Sequence, residues 1–265
     1  MQAAPQLDLD AHRGAGDLIG TTLALFARHA LLFLSVTLVV VAPFAILVAV
    51  LVGGVSYASD DAVSVGALVA SAALSGLMPV LVTALHVMVV SDLGEGRVPS
   101  VPQALRAAAP RFPRAIGAVV VYTALAIGGL ILFVIPGVWV FVAGYFATQA
   151  AVMEGRGPLD AFRRSSELVD DRWWRTAGTL ALGWLLLAAA SYPVDRGLDA
   201  LDVGVLWVVL YALVQVLTLS LSALFGTLMY FSLRAREEHP FGAAPVPTYL
   251  PPISPTPAAQ PPADL

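Results

Sequence analysis

Five charged side chains, Glu154, Arg163, Arg164, Arg172 and Arg175, fall within 22 residues of an otherwise apolar chain, in the run EGRGPLDAFRRSSELVDDRWWR. The planar fork of arginine matches the paired oxygens of a carboxylate or a phosphate. Such a cluster can therefore hold an anionic lipid head group or a partner protein, or it can close on nearby acids and serve the structure. Both alternatives stand at this stage. The two large polar loops carry nine arginines against seven acids, which is far from a polybasic patch.

Three further polar side chains, His86, Gln149 and Gln215, interrupt apolar runs. An ionisable or amide group at membrane depth marks a candidate solute path, and a hydrogen bond to a neighbouring helix is the simpler account. Asp8, Asp10 and His12 alternate as divalent-ion ligands could, in a terminus expected to be mobile. Asp195, Asp199 and Asp202 share one helical face where three carboxylates could hold a cation, and capping the last span and keeping its end in water explains them as well. There is no Ser-His-Asp arrangement, zinc spacing, glycine-rich phosphate loop or aspartate-rich motif, so we expect no catalytic residue, no metal and no cofactor.

The elements that must position these residues are membrane helices. Of 265 residues, 58% are hydrophobic and only 12% charged, about half the ~25% charge of a soluble domain. Five stretches without Asp, Glu, Arg or Lys exceed the ~18 residues that flag a span: 30–59, 62–91, 115–153, 176–194 and 203–233. The 39 residues of 115–153 would run ~58 Å as one helix, about twice the hydrocarbon thickness, so they must fold back. Pro136 and Gly137 are the expected corner, proline pre-set for a turn and glycine able to follow it with positive φ. With a corner there, 13 of the 14 arginines fall on one side and Arg196 alone on the other. The positive-inside rule then gives six spans with both termini cytoplasmic. The reading is all-α: a polytopic membrane protein of six transmembrane helices in the cell membrane.

Between the spans, three short amphipathic segments are expected on the cytoplasmic surface, beginning near Asp17, Ser100 and Pro158 and each preceding a hairpin of two spans. In the third, Leu159, Phe162, Ser166, Val169 and Trp173 form the apolar stripe. Trp173 and Trp174, between Arg172 and Arg175, mark a membrane interface. Pro43 and Pro79 are expected to bend the first two spans. The domain organisation is a mobile N-terminus at 1–14, a membrane domain at 15–235 and a tail at 236–265 whose prolines give it polyproline II character. There is no cysteine and no lysine, and a net charge of −4 does not suggest a nucleic-acid partner.

Pro136 and Gly137, then Glu154, Gly155, Gly157, Pro158, Ala161, Arg164 and Ser165, then Trp174 and Arg175, make the stretch resemble the glycerophosphoryl diester phosphodiesterase membrane-domain family of bacterial multi-helix membrane proteins. Ser166 stands where that family has tryptophan and Phe162 where it has leucine, and its basic residue early in the fourth span is missing around Ala143–Tyr145. The resemblance implies a membrane fold. It also implies that the phosphodiesterase of some relatives resides in a separate soluble domain, and the expected cytoplasmic loops, about 20 residues each, are too short to be that domain. The expected function is a non-enzymatic scaffold or accessory in envelope or lipid processes. Its expected partners are the lipid bilayer and either anionic lipid head groups or a membrane or cytoplasmic protein. The alternative is a transporter or channel for an apolar or lipid-like substrate.

Overall fold

The computed structural model describes residues 7–58, 65–200 and 205–238. Within them the chain forms α1 (Ala15–Arg28), α2 (Ala30–Ala58), α3 (Val65–Gly94), α4 (Val101–Ala108), α5 (Phe112–Leu132), α6 (Val134–Gly144), α7 (Ala147–Met153), α8 (Pro158–Asp170), α9 (Trp173–Ala200) and α10 (Val205–Glu238), with no strand among the described residues. Six segments are long and apolar enough to cross a membrane: Ala30–Leu47, Leu74–Gly94, Val101–Leu132, Val134–Met153, Trp173–Val194 and Val209–Glu238. The protein is an all-α, multi-pass membrane protein. Pro43 and Pro79 lie inside α2 and α3 without ending either.

The spans pair as consecutive hairpins, α2 on α3, α5 on α6 and α9 on α10. The three short helices pack mainly on hairpins other than the ones that follow them. Helix α4 packs on α3 and α2, α8 packs on α5, α6 and α7, and α1 packs on α10. Each amphipathic helix thus covers the hairpin preceding it, the first covering the last, and the chain closes on itself. The fully buried residues concentrate in one part of the bundle: Phe33 and Val36 on α2, Leu85 and Val89 on α3, Leu228 and Tyr230 on α10. Bulky apolar side chains at Ile46, Ile131, Ile135 and Leu185 are exposed, as befits surfaces whose solvent is hydrocarbon.

The fold-back in the long apolar run differs from expectation by three residues. The reversal occurs at Phe133, an extended residue (φ −162°, ψ 151°) that ends α5 and caps α6, while Pro136 and Gly137 lie within the first turn of α6. The missing N–H of proline falls among donors that a helix start leaves unpaired in any case, so Pro136 begins a helix here and does not make the corner. Gly137 serves a different need, which is close approach. A Cβ built there would stand 2.8 Å from the Cα of Leu130, and one on Gly129 would stand 3.0 Å from the Cα of Gly137. The backbones of the hairpin touch at this crossing.

Other boundaries shift as well. Residues 7–14 are packed, because Leu9 fills the space over Gly94 and the backbone N–H of Arg13 donates to Ser232 Oγ at 3.0 Å. At the other end α10 runs on to Glu238, past the expected boundary at 235. The tail from 239 and residues 1–6 lie outside the described residues. Ser100 precedes α4 in an extended conformation as expected, but its hydroxyl makes no capping bond.

The close crossing of α5 and α6 generates a signed prediction. Gly137→Ala should destabilise the protein in detergent by about 1–3 kcal/mol through overpacking against Leu130. Gly128→Ala, where a Cβ meets nothing within 4 Å, should be neutral or stabilising by up to ~1 kcal/mol. Equal melting temperatures for the two variants would contradict the crossing.

Candidate functional site

The sequence cluster at 154–175 divides in the fold into a closed ion network and an open basic cavity. Glu154 ends α7, and Gly155 follows with φ +65°, a left-handed conformation that favours glycine and turns the chain back towards α8. Gly157 and Pro158 then start α8. A Cβ on Gly117 of α5 would stand 2.6 Å from Pro158, and one on Gly144 of α6 would stand 2.7 Å from Phe162. These two glycines let α8 lie against both helices.

The face that α8 buries is Ala161, Ser165, Leu168 and Val169. The expected stripe is therefore displaced: Leu159 is exposed, and Phe162 and Ser166 are only half-buried. The displacement follows from small residues being needed where helices nearly touch. Ser165 sits where the fourth span is broken between α6 and α7, at Tyr145–Phe146. Its Oγ accepts from the Phe146 N–H at 3.0 Å and donates to the Ala143 carbonyl at 2.6 Å. Both groups belong to a helical ladder that has opened, and inserting a side chain into that ladder is a recognised cause of a kink.

Glu154 and Arg164 form the centre of the ion network. Arg164 Nε lies 3.0 Å and 3.1 Å from the two Glu154 oxygens, and its two terminal nitrogens reach the two oxygens of Glu237 at 2.7 Å and 2.5 Å. Arg156 and the Tyr230 hydroxyl add bonds to Glu154 at 2.6 Å and 2.9 Å. Burial alone would raise the Glu154 carboxyl, but the bonds from Arg164, Arg156 and Tyr230 outweigh it and hold the group below its ordinary pKa. The network joins the end of α7, the middle of α8 and the end of α10. Arg164 and Glu154, expected as head-group contacts, are thus turned inward and saturated. Arg163 points outward, its side chain 72% exposed, with Asp160 at 4.0 Å.

Arg172 and Arg175 go elsewhere. At the start of α9 they meet Arg13 and Arg236, and these four guanidinium groups line one cavity of about 300 Å³ between α1, α9 and α10. No carboxylate lies within ion-pair distance of any of the four among the described residues, although Asp170 and Asp171 adjoin Arg172 in sequence. Arg13 Nη1, Arg236 Nε and Thr176 Oγ1 are buried there without a hydrogen-bond partner. Burial lowers the Arg13 pKa from its ordinary value, and Asp8 and Asp17 oppose the shift. Gly14 and Ala15 at the start of α1 and Thr176 near the start of α9 line the same space, with the Gly14 N–H donating to Asp17 and the Thr176 N–H to the Arg172 carbonyl. Arg13 and Arg236 carry no local signal in the sequence, since one precedes the first helix and the other lies near the end of the last.

Residues 107–235 match the model of a family described as a domain of unknown function (DUF7847). No curated protein and no solved structure matches the chain. The matched segment contains Glu154, Arg156, Arg164 and Tyr230 of the ion network and both Arg172 and Arg175, while Glu237, Arg13 and Arg236 lie outside it.

The polar residues inside the spans take three different places. His86 is fully buried, its Nε2 3.1 Å from Ser220 Oγ, its Nδ1 2.9 Å from the Val82 carbonyl and its ring stacked on Phe33. Gln149 is buried with Oε1 unpartnered, at a cavity of about 340 Å³ shared with Tyr122, Tyr145 and Thr148. Gln215 lies on the exposed surface of α10. His12 Nε2 lies 3.3 Å from the carbonyl of Ala235, and no metal-binding group of His, Asp and Glu occurs among the described residues. Asp202 and the side chains of Asp195 and Asp199 lie outside the described residues. Trp173 and Trp174 pack edge to face at 4.7 Å, with Trp174 84% exposed beside the basic cavity.

Ser165→Ala would leave the Phe146 N–H and the Ala143 carbonyl without their partner inside the bundle. The expected cost is about 1–3 kcal/mol, read as lost thermal stability in detergent. Ser166→Ala, one residue along on the half-buried side, should change little, and equal effects of the two would show that the kink does not need the hydroxyl.

Proposed function

We propose that the protein is a non-enzymatic multi-pass membrane protein that binds anionic lipid head groups and acts as a scaffold or accessory in envelope or lipid processes. The observation that carries this reading is the cavity of Arg13, Arg172, Arg175 and Arg236, in which four cations converge without a carboxylate among them. Like charges held together and partly buried destabilise a fold unless an anion compensates them; Asp8 and Asp17 act on Arg13 from beyond ion-pair distance, and no carboxylate among the described residues pairs directly with any of the four. Glu154 supports the non-enzymatic part: a carboxylate held ionised by several donors suits a fastening better than a proton carrier.

The same proposal puts the arginine-rich end in the cytoplasm and includes kinship with the glycerophosphoryl diester phosphodiesterase membrane-domain family. Orientation is testable because the chain has no cysteine of its own. A cysteine at Arg163 should escape an impermeant maleimide applied to intact cells, and one at Phe133 should react. The reverse pattern would overturn the orientation. For the head-group reading, protein embedded in mixed phosphatidylcholine and phosphatidylglycerol bilayers should co-extract phosphatidylglycerol in excess of the bulk. The double variant Arg172→Gln, Arg175→Gln should lose that excess, and an unchanged lipid profile would remove the reading.

A second reading, transport of an apolar or lipid-like solute, is favoured by one observation: the interrupted fourth span borders the cavity at Gln149, as broken helices border the sites of transporters. A cysteine at Thr123, on the wall of that cavity, would react from both sides of a reconstituted membrane if a path exists. Protection from both sides would leave the scaffold reading alone.

A further inference from the structure

A second space lies beside the basic cavity. One turn deeper along the same three helices lies an apolar cleft of about 350 Å³, lined by Ile19 and Leu23 of α1, Trp184, Leu187 and Ala190 of α9, and Phe225 of α10. The two linings lie one helical turn apart on each wall: Leu18 and Thr22 on α1, Thr179 and Gly183 on α9, and Met229 and Phe225 on α10. Gly183 makes room for the Phe225 ring, since a Cβ there would stand 2.6 Å from the ring edge. A basic mouth with unpartnered donors thus stands next to an apolar trough on the same three helices.

We infer that this composite site seats one anionic phospholipid molecule, its phosphate among Arg13, Arg172, Arg175, Arg236 and Thr176 and one acyl chain in the cleft between α1, α9 and α10. The inference rests on the head-group reading and adds that recognition is of a single molecule in a shaped site. Charge complementarity selects the head. A phosphate presents several acceptor oxygens to forked donors, and the three buried unpartnered atoms, Arg13 Nη1, Arg236 Nε and Thr176 Oγ1, require acceptors that the protein lacks there. The cleft selects the tail. Its walls are apolar apart from Thr22 and Ser222, and burying a chain there contributes free energy that a soluble phosphate cannot supply. A free phosphate or glycerol phosphate shares the head-group chemistry, so the acyl chain is what separates the sources.

The experiment uses the full chain, purified in detergent and delipidated, with dioleoyl phosphatidylglycerol, dioleoyl phosphatidylcholine and glycerol 1-phosphate as probes. Native mass spectrometry should show one phosphatidylglycerol retained per chain, and the melting temperature should rise with that lipid and not with the other two. Arg175→Gln, at an exposed position, should weaken retention about tenfold, the loss of one charge-assisted contact. Ala190→Trp, which narrows the cleft from an exposed position, should weaken it by a similar factor. Ala188→Trp, outside the cleft, is the control and should bind as the unaltered protein does. If glycerol 1-phosphate stabilises as well as the lipid and Ala190→Trp binds normally, the single-lipid inference is overturned while head-group binding survives. If Arg175→Gln and the double variant Arg172→Gln, Arg175→Gln both bind normally, both fall together.

Discussion

The forked contact of Arg164 with Glu237, backed by Glu154, ties α8 to the ends of α7 and α10, where Gly117 and Gly144 let it lie on α5 and α6, and much of the remaining structure depends on where α8 lies. The helix has a charged outer face and could not hold itself in a bundle by apolar burial alone. One guanidinium bridging two carboxylates from two other elements supplies geometry as well as attraction; its contact with Glu154 is shielded, with the two side chains 12% and 16% exposed, while Glu237 is 46% exposed and water screens that arm. With α8 so placed, Ser165 meets the opened ladder of the fourth span, and the chain leaving α8 brings Arg172 and Arg175 to the mouth of the basic cavity.

Two groups of arginine of similar composition therefore do opposite things. Arg156 and Arg164 are neutralised by acids and are part of the framework. Arg13, Arg172, Arg175 and Arg236 converge from three separate helix ends and form no ion pair among the described residues. Folding alone would not favour the second arrangement, because burying cations beside one another raises the energy of the folded state. A ligand that neutralises them recovers that energy on binding. The cyclic packing of the short helices contributes as well: α1 covers the last hairpin as α8 covers the one before it, and so the N-terminal Arg13 can join residues more than 150 positions away.

Much of this architecture was legible in the sequence. Long uncharged runs must be helices in a membrane because no other backbone arrangement satisfies its own hydrogen bonds there. A run of 39 residues was too long for one crossing, and a helix start at Pro158 followed from proline chemistry at a first turn. The corner at Phe133 was not legible, since any residue can adopt an extended conformation and nothing marks this one. Nor was the break at Tyr145–Phe146, which has no proline and is created by Ser165 from another helix. For the site, the run 154–175 drew attention to the right arginines, but periodicity alone could not sort those facing inward from those facing a cavity.

The sequence by itself determined the environment, the helical class and the number of crossings, because these follow from length, hydropathy and the distribution of charge along a single chain. Only the tertiary structure decided that Glu154 and Arg164 close on Glu237 while Arg172 and Arg175 face Arg13 and Arg236. The physical reason is that an ion pair or an uncompensated cluster is a property of distances between residues far apart in the chain. Those distances are set by which helices can approach closely, at glycines such as Gly117, Gly137 and Gly144.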